Sequence, residues 1–222
     1  VLWAMVAAGL LAAGLLSSGV ALVQVFAPGW TDGSLIAHSG LVGRAVGNLR
    51  QPNHLCSLLL WALVAAVSLH EQRRWPSSAW LWPVAAVLVF AVELSASRTG
   101  AVGLLLLPLW AVLDRSLSRR ARRVLWAAPL LYLLAYGAMG LYGEWSQQAF
   151  GAGARLANAA GEAESPNGRL NIWRNALALV RLQPISGVGW GEFNLAWTLT
   201  PFPGRPTAFF DHTHNLPLEL LV

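Results

Sequence analysis

Five long apolar runs dominate the chain, at positions 2–27, 55–69, 80–94, 101–113 and 124–141. A helix needs roughly 20 apolar residues to cross a bilayer, so each run is long enough to cross or nearly cross one. The pattern predicts a bundle of about five spans with loops on alternating sides. Only 11% of the 222 residues are charged and 56% are hydrophobic. Soluble domains carry about 25% charged residues, so the chain reads as an integral membrane protein. The first run is too long for a signal peptide and lacks its cleavage pattern. Its Gly9, Gly14 and Gly19 are expected near one face, where small residues permit close helix packing.

Polar segments divide the chain further. The spans are expected within 1–141, a large outward loop over 142–215, and the start of another transmembrane helix at 216–222. With Val1 in place of a starting methionine, that unfinished span marks the chain as a fragment of a larger polytopic protein. Positions 151–168 are rich in Gly, Ala, Asn and Glu and read as flexible, with a turn at Ser165-Pro166-Asn167-Gly168. Positions 171–182 read as an amphipathic helix. Trp173, Ala176, Leu177 and Val180 follow helical spacing on one face, while Asn171, Arg174 and Arg181 share the other. Such a helix lies on the membrane or over the bundle. No internal repeat and no β pattern is visible, so the fold class is all-α.

Charge orients the bundle. The formal charge of +5 comes from arginine alone. Seven of the fifteen arginines sit in two loops: Arg73 and Arg74 in one, Arg115, Arg119, Arg120, Arg122 and Arg123 in the other. These loops are an even number of spans apart and share a face, which the positive-inside rule makes cytoplasmic. Topology and anionic lipid account for them, so nucleic acid is not a partner. Trp75, Trp80 and Trp82 fit an aromatic belt at the same face. The single cysteine, Cys56, lies inside the second run and excludes an intrachain disulfide.

The opposite face collects three polar clusters: Arg50-Gln51-Pro52-Asn53-His54, Ser97-Arg98-Thr99-Gly100, and Asp211-His212-Thr213-His214-Asn215. His214 could take a proton from a hydroxyl near neutral pH without heavy tuning; equally, it could make only interfacial hydrogen bonds at a helix start. A His-x-His zinc site is disfavoured, because i and i+2 diverge on a helix and no third ligand is nearby. Arg98 sits where the positive-inside rule disfavours arginine. Either it snorkels to headgroups, or it faces an anion, with Glu93 and a phosphorylated ligand as candidates. Pro52 starts a helix whose free N–H groups attract anions, and Arg50 beside it could grip phosphate with its fork. Capping by Asn53 and interface anchoring are the plainer reading. Arg169 could be a turn residue and Arg174 a solvated-face charge. Jointly, outward cations and a histidine on a membrane bundle suit a lipid-linked, diphosphate-bearing substrate.

At this level the motifs resemble a family. The stretch Gly47-Asn48-Leu49-Arg50-Gln51-Pro52-Asn53-His54-Leu55 resembles the hallmark of bacterial O-oligosaccharyltransferases of the PglL type. Ser97-Arg98-Thr99-Gly100 resembles the start of the domain shared by O-antigen ligases and polymerases, expected here from about residue 80 to the C-terminus. Gly168-Arg169-x3-Trp173 and Pro184-x2-Gly187-x-Gly189-x-Gly191-x-Phe193 are similar to its outward loop, and His214-Asn215 to its closing motif.

The resemblance implies transfer of a preassembled glycan from undecaprenyl diphosphate to an acceptor hydroxyl, at the periplasmic face of the bacterial inner membrane, without cofactor or metal. His214 would be catalytic. Arg98, with Arg50 or Arg169, would hold the diphosphate, Gln51 would position donor or acceptor, and Asn53 and Asn215 would complete the binding set. The acceptor implied is a Ser or Thr of an exported, pilin-like protein; lipid A core or another O-antigen unit is the alternative. A non-enzymatic lipid-binding or transport protein is the rival class. Transporters, however, commonly carry inverted repeats and interrupted helices, and neither is seen. A purely structural membrane subunit is the blandest reading.

Overall fold

The computed structural model describes residues 2–73, 78–156, 169–202, 213 and 215–222. The described residues form helices and short 3-10 turns and no strand, as the apolar runs predict. They fall into two compact units, Val1–Ala157 and Asn158–Val222, each treated by itself below.

The first unit is a bundle of α1 (Leu2–Phe26), α2 (Pro52–Glu71), α3 (Leu81–Ser95), α4 (Arg98–Leu113) and α5 (Arg119–Ser146). Three of these, α1, α2 and α5, are long and apolar enough to cross a membrane. All five apolar runs are helical, and α3 and α4, with 15 and 16 residues, are the shorter ones. At 1.5 Å per residue they reach only about 22–24 Å, short of a hydrocarbon core of about 30 Å.

The hydrophobicity of α3 has another cause. It packs against α1, α2 and α5, and Leu81, Val84, Ala85, Leu88, Val89, Ala91, Val92, Glu93, Leu94 and Ser95 are all buried. A helix apolar all round is a core helix as readily as a lipid-facing one. By contrast α1, α4 and α5 carry rows of exposed leucines, among them Leu16, Leu105, Leu109, Leu130 and Leu133. An apolar outer surface of that extent fits lipid. The link from α3 to α4 is only Ala96 and Ser97, yet α4 leans away from its neighbour and packs mainly on α5 and α2.

Close packing at the centre depends on a single glycine of α1. A Cβ on Gly14 would run into the Cβ of Ala62 on α2, whereas Gly9 and Gly19 have nothing within 4 Å. The expected glycine face is therefore corrected: a five-residue step turns a helix by roughly 140°, so the three glycines cannot line up. Gly14 alone is the contact.

The two ends of the bundle differ. At one end Glu71, the last residue of α2, accepts bonds from Ser118 Oγ (2.6 Å) and Ser118 N (3.1 Å), while Ser118 caps α5 by accepting from Ala121 N. That places the loop bearing Arg73 beside the one bearing Arg115 and Arg119, as topology requires. Arg74 and Trp75 lie outside the described residues. At the other end the segment after α1 folds back on the bundle. Buried Gln24 of α1 donates to Ala37 O (2.7 Å) and Gly47 O (3.2 Å) and accepts from Val46 N (3.0 Å) and Gly47 N (2.9 Å). Asp32 organises the outer tip of this segment by accepting from the N–H groups of Ser34, Leu35 and Ile36. The Ile36 bond is the main reason its carboxyl lies low, at about 2.

The second unit contains α6 (Arg169–Leu182), α7 (Phe193–Leu199) and α8 (Leu216–Leu221). The amphipathic helix expected over 171–182 is present, with its buried face turned by one position. Ile172, Asn175, Ala176 and Leu179 are buried, while Leu177 is exposed. Both rows have helical spacing, and the choice is made by Phe193, Trp197 and Phe202, which close over Ile172, Ala176 and Leu179. The expected turn at 165–168 lies outside the described residues.

Replacing Gly14 with Val should overpack the α1–α2 contact and destabilise the bundle by about 1–3 kcal/mol. The thermal midpoint of the detergent-solubilised protein measures this, and Gly9→Val is the control expected to leave it unmoved.

Candidate active site

The polar end of the bundle is built from two helix starts. Pro52 opens α2 with Gln51 in extended conformation before it, and Ser97 caps α4 by accepting from Gly100 N at 3.3 Å. A proline at the first helical position loses nothing, because its missing N–H would be an orphan there. A serine N-cap satisfies one orphan donor. Ser97 does more than cap. Its hydroxyl donates to Asn53 Oδ1 at 2.8 Å, joining α4 to the first turn of α2 across 44 positions of sequence. Cys56 Sγ lies 3.1 Å from both Ser97 Oγ and Asn53 O.

Backbone strain marks the same place. Arg50 holds φ 57° and Ala96 φ 53°, both left-handed, a conformation that costs a residue with a side chain roughly 1 kcal/mol or more. Each stands one residue before a helix cap, so the sharp turns that bring the two helix starts together are made there. Gly100 permits the approach: a Cβ on it would lie 2.8 Å from Val92 Cγ1 and 3.0 Å from Cys56 Cβ.

Of the residues expected to bind substrate, Arg50, Gln51, Asn53 and Arg98 all belong to this end of the first unit. Arg50, Gln51 and Arg98 are exposed, and Asn53 is half-buried with its oxygen taken by Ser97. Arg98 occupies the first position of α4, where its charge faces the positive end of the helix dipole. Glu93 is not its partner. That carboxylate is buried in α3, and Oε1 accepts from Ala152 N at 3.0 Å. Gly151, at φ 53°, lies against it so closely that a Cβ would meet both carboxylate oxygens. Gly151 N donates to Gly43 O at 2.7 Å, and Arg155 Nη1 donates to Ala96 O at 3.0 Å. The segment after α5 is thus clamped to the α3–α4 turn. Phe26, Phe90, Tyr142 and Phe150 pack into an aromatic cluster beside it.

The second unit carries the other candidates. Arg169 begins α6. Asn215 caps α8, its Oδ1 accepting from Leu218 N at 3.4 Å. His214 and its neighbours Asp211 and His212 lie outside the described residues. Thr213, fully buried, accepts at its carbonyl from Trp173 Nε1 (3.0 Å) and donates its N–H to Glu219 Oε2 (2.6 Å). Its hydroxyl donates to Asn215 O at 2.8 Å. In the first unit, the motifs include Ser97 and offer Glu93 as a partner of Arg98, but they do not single out Gln24. A polar residue near the end of an apolar run is the signal for Gln24.

The fold and this polar end define a membrane-embedded helical bundle with exposed arginines at two joined helix starts. Comparison with known proteins is specific about its kind. Residues 83–222 match the O-antigen ligase family, and residues 45–70 match the protein glycosylation ligase family. The chain belongs to the O-antigen ligase family, and every candidate residue falls within one of the two matched stretches. It is 28% identical over 185 residues to the general O-oligosaccharyltransferase of Acinetobacter baylyi, covering 81% of this chain and 32% of that protein. To the ComP-specific O-oligosaccharyltransferase of the same species it is 25% identical over 191 residues, with the same coverage. The chain spans about a third of the length of both relatives. No solved structure matches it. The resemblance read from the motifs is therefore met by these matches.

Gln24→Leu should leave Val46 N–H and Gly47 N–H unpaired and release the segment before α2, at a cost of about 2 kcal/mol or more. Limited proteolysis between residues 31 and 50 should accelerate in that variant.

Proposed function

We propose that the chain is the site-bearing part of an O-oligosaccharyltransferase that moves a preassembled glycan from undecaprenyl diphosphate to Ser or Thr hydroxyls of exported proteins. The observation that carries this reading is the Ser97–Asn53 hydrogen bond. It unites the segment matching the protein glycosylation ligase family with α4, inside the O-antigen ligase match, at the end of the bundle away from the arginine-rich loops. By the positive-inside rule that end faces the periplasm.

The chemistry needs few groups. The acceptor oxygen attacks the anomeric carbon, the bond from that carbon to the diphosphate oxygen breaks, and undecaprenyl diphosphate leaves with the electron pair. His214 takes the acceptor proton. Negative charge grows on the diphosphate, and Arg98, with Arg50 or Arg169, stabilises it where it develops. A cation at the start of α4 is unfavourable beside the helix dipole in the absence of an anion, by about 0.3–1 kcal/mol; a bound diphosphate reverses the sign. Gln51, exposed in extended backbone before α2, would orient donor or acceptor. Asn215 would hold the histidine's neighbour in register through its cap.

The larger match, to the O-antigen ligase family, favours a second acceptor reading, ligation to lipid A core or polymerisation of O-antigen units. Complementation separates the two. A strain lacking its oligosaccharyltransferase and supplied with the intact protein should regain glycosylated pilin-like protein. Recovery of capped lipopolysaccharide alone would reject the protein acceptor.

His214→Ala should lower transfer by about 10²-fold or more, the usual worth of a positioned general base. Arg98→Lys should keep the charge but lose the two-pronged grip and fall roughly tenfold, measured with lipid-linked oligosaccharide and an acceptor peptide. Full turnover in His214→Ala would overturn the catalytic assignment.

A further inference from the structure

Ser97 is buried, at 1% exposure, and its single hydroxyl serves three neighbours. It donates to Asn53 Oδ1 at 2.8 Å, accepts from Gly100 N at 3.3 Å, and stands 3.1 Å from Cys56 Sγ. Cys56 is fully buried and equally close to Asn53 O, so its one thiol proton backs either side of the junction. The turn before Ser97 is held as well, because Arg155 donates to Ala96 O. Asn53 therefore meets the bundle through its oxygen.

We propose that Asn53 and Ser97 are positioning residues, which lock the starts of α2 and α4 in one register so that Arg50–Gln51 and Arg98 face the lipid diphosphate together. This rests on the phosphate-holding role proposed for Arg98. It is distinct from the substrate contact expected of Asn53, which would use the amide N–H donors toward a diphosphate while the oxygen accepts from Ser97. Losing the Ser97 hydroxyl removes the cap of α4 and the cross-link to α2 at once, so Arg98 would be freed in both helix position and direction. A group that moves Arg98 alters the transition state, where the leaving-group charge develops, and not acceptor recognition.

Chemistry distinguishes positioning from contact. Asn53→Asp keeps an acceptor for the Ser97 hydroxyl, and a carboxylate in the first turn of α2 suits the helix dipole. The same change would put negative charge against a diphosphate if Asn53 touched it. Cys56 offers a readout independent of transfer, since opening of the junction exposes the thiol beneath it.

The test uses the intact protein in membranes, in wild-type, Ser97→Ala, Asn53→Ala, doubly substituted and Asn53→Asp forms. Transfer is assayed with lipid-linked oligosaccharide and acceptor peptide, and maleimide alkylation of the Cys56 peptide is followed by mass spectrometry. Each alanine variant should lose on the order of tenfold in kcat/KM for the donor, with acceptor KM unchanged. The double variant should be no worse than the weaker single one, as residues sharing one bond are non-additive. Asn53→Asp should regain most of the loss, and Cys56 should alkylate several-fold faster in the alanine variants alone. The proposal is overturned if Asn53→Asp is as impaired as Asn53→Ala while Cys56 stays equally protected throughout, or if the two alanine losses multiply. A wild-type protein without transfer activity would sink the functional reading, and the alkylation series would still decide whether the junction exists.

Discussion

The whole first unit depends on burying α3. This helix is too short to span a bilayer and too apolar to face water, so α1, α2 and α5 enclose it. Its length sets the level at which the chain must turn, and the turn falls among Glu93, Ser95, Ala96 and Ser97. The buried polar groups of this turn bond within the protein, apart from Glu93 Oε2, which has no hydrogen-bond partner among the described residues. Glu93 takes the N–H of Ala152, Ser95 Oγ donates to Val92 O, and Ser97 takes Asn53 and Gly100. The core helix thus dictates where the polar machinery collects.

That machinery is economical because the same groups close the fold and shape the site. Gln24 orders the segment that ends in Arg50, and Ser97 orders the helix that starts with Arg98. The two arginines are exposed while the residues that place them are buried. Buried residues thus hold solvated cations in place, an arrangement that suits the proposed diphosphate site. Charge can be presented without the expense of desolvating it in the absence of ligand.

Motif reading and structure meet at particular residues. The Arg50–His54 and Ser97–Gly100 stretches were visible because proline, arginine and a serine cap interrupt strongly apolar sequence. The span boundaries were visible for the same reason, within a turn at most ends. The roles inside the motifs were not. Asn53 reads as a ligand contact or a cap from sequence, and only the fold shows that its oxygen accepts from Ser97. Glu93 reads as a partner for Arg98, yet it anchors the start of the segment after α5.

Sequence alone determined the all-α class, the positions of the apolar helices, the two unlike ends of the bundle and the family motifs. Hydropathy and charge report directly on transfer between water and lipid, so they need no partner to be read. Tertiary structure decided which apolar helix is core, which glycine packs, which face of α6 is buried and which polar residues bond one another. Those outcomes depend on what lies opposite a residue across the fold: Ala62 against Gly14, Phe193 and Trp197 over Ile172 and Ala176, Ser97 against Asn53. Such pairings join positions dozens of residues apart, and no local pattern carries them.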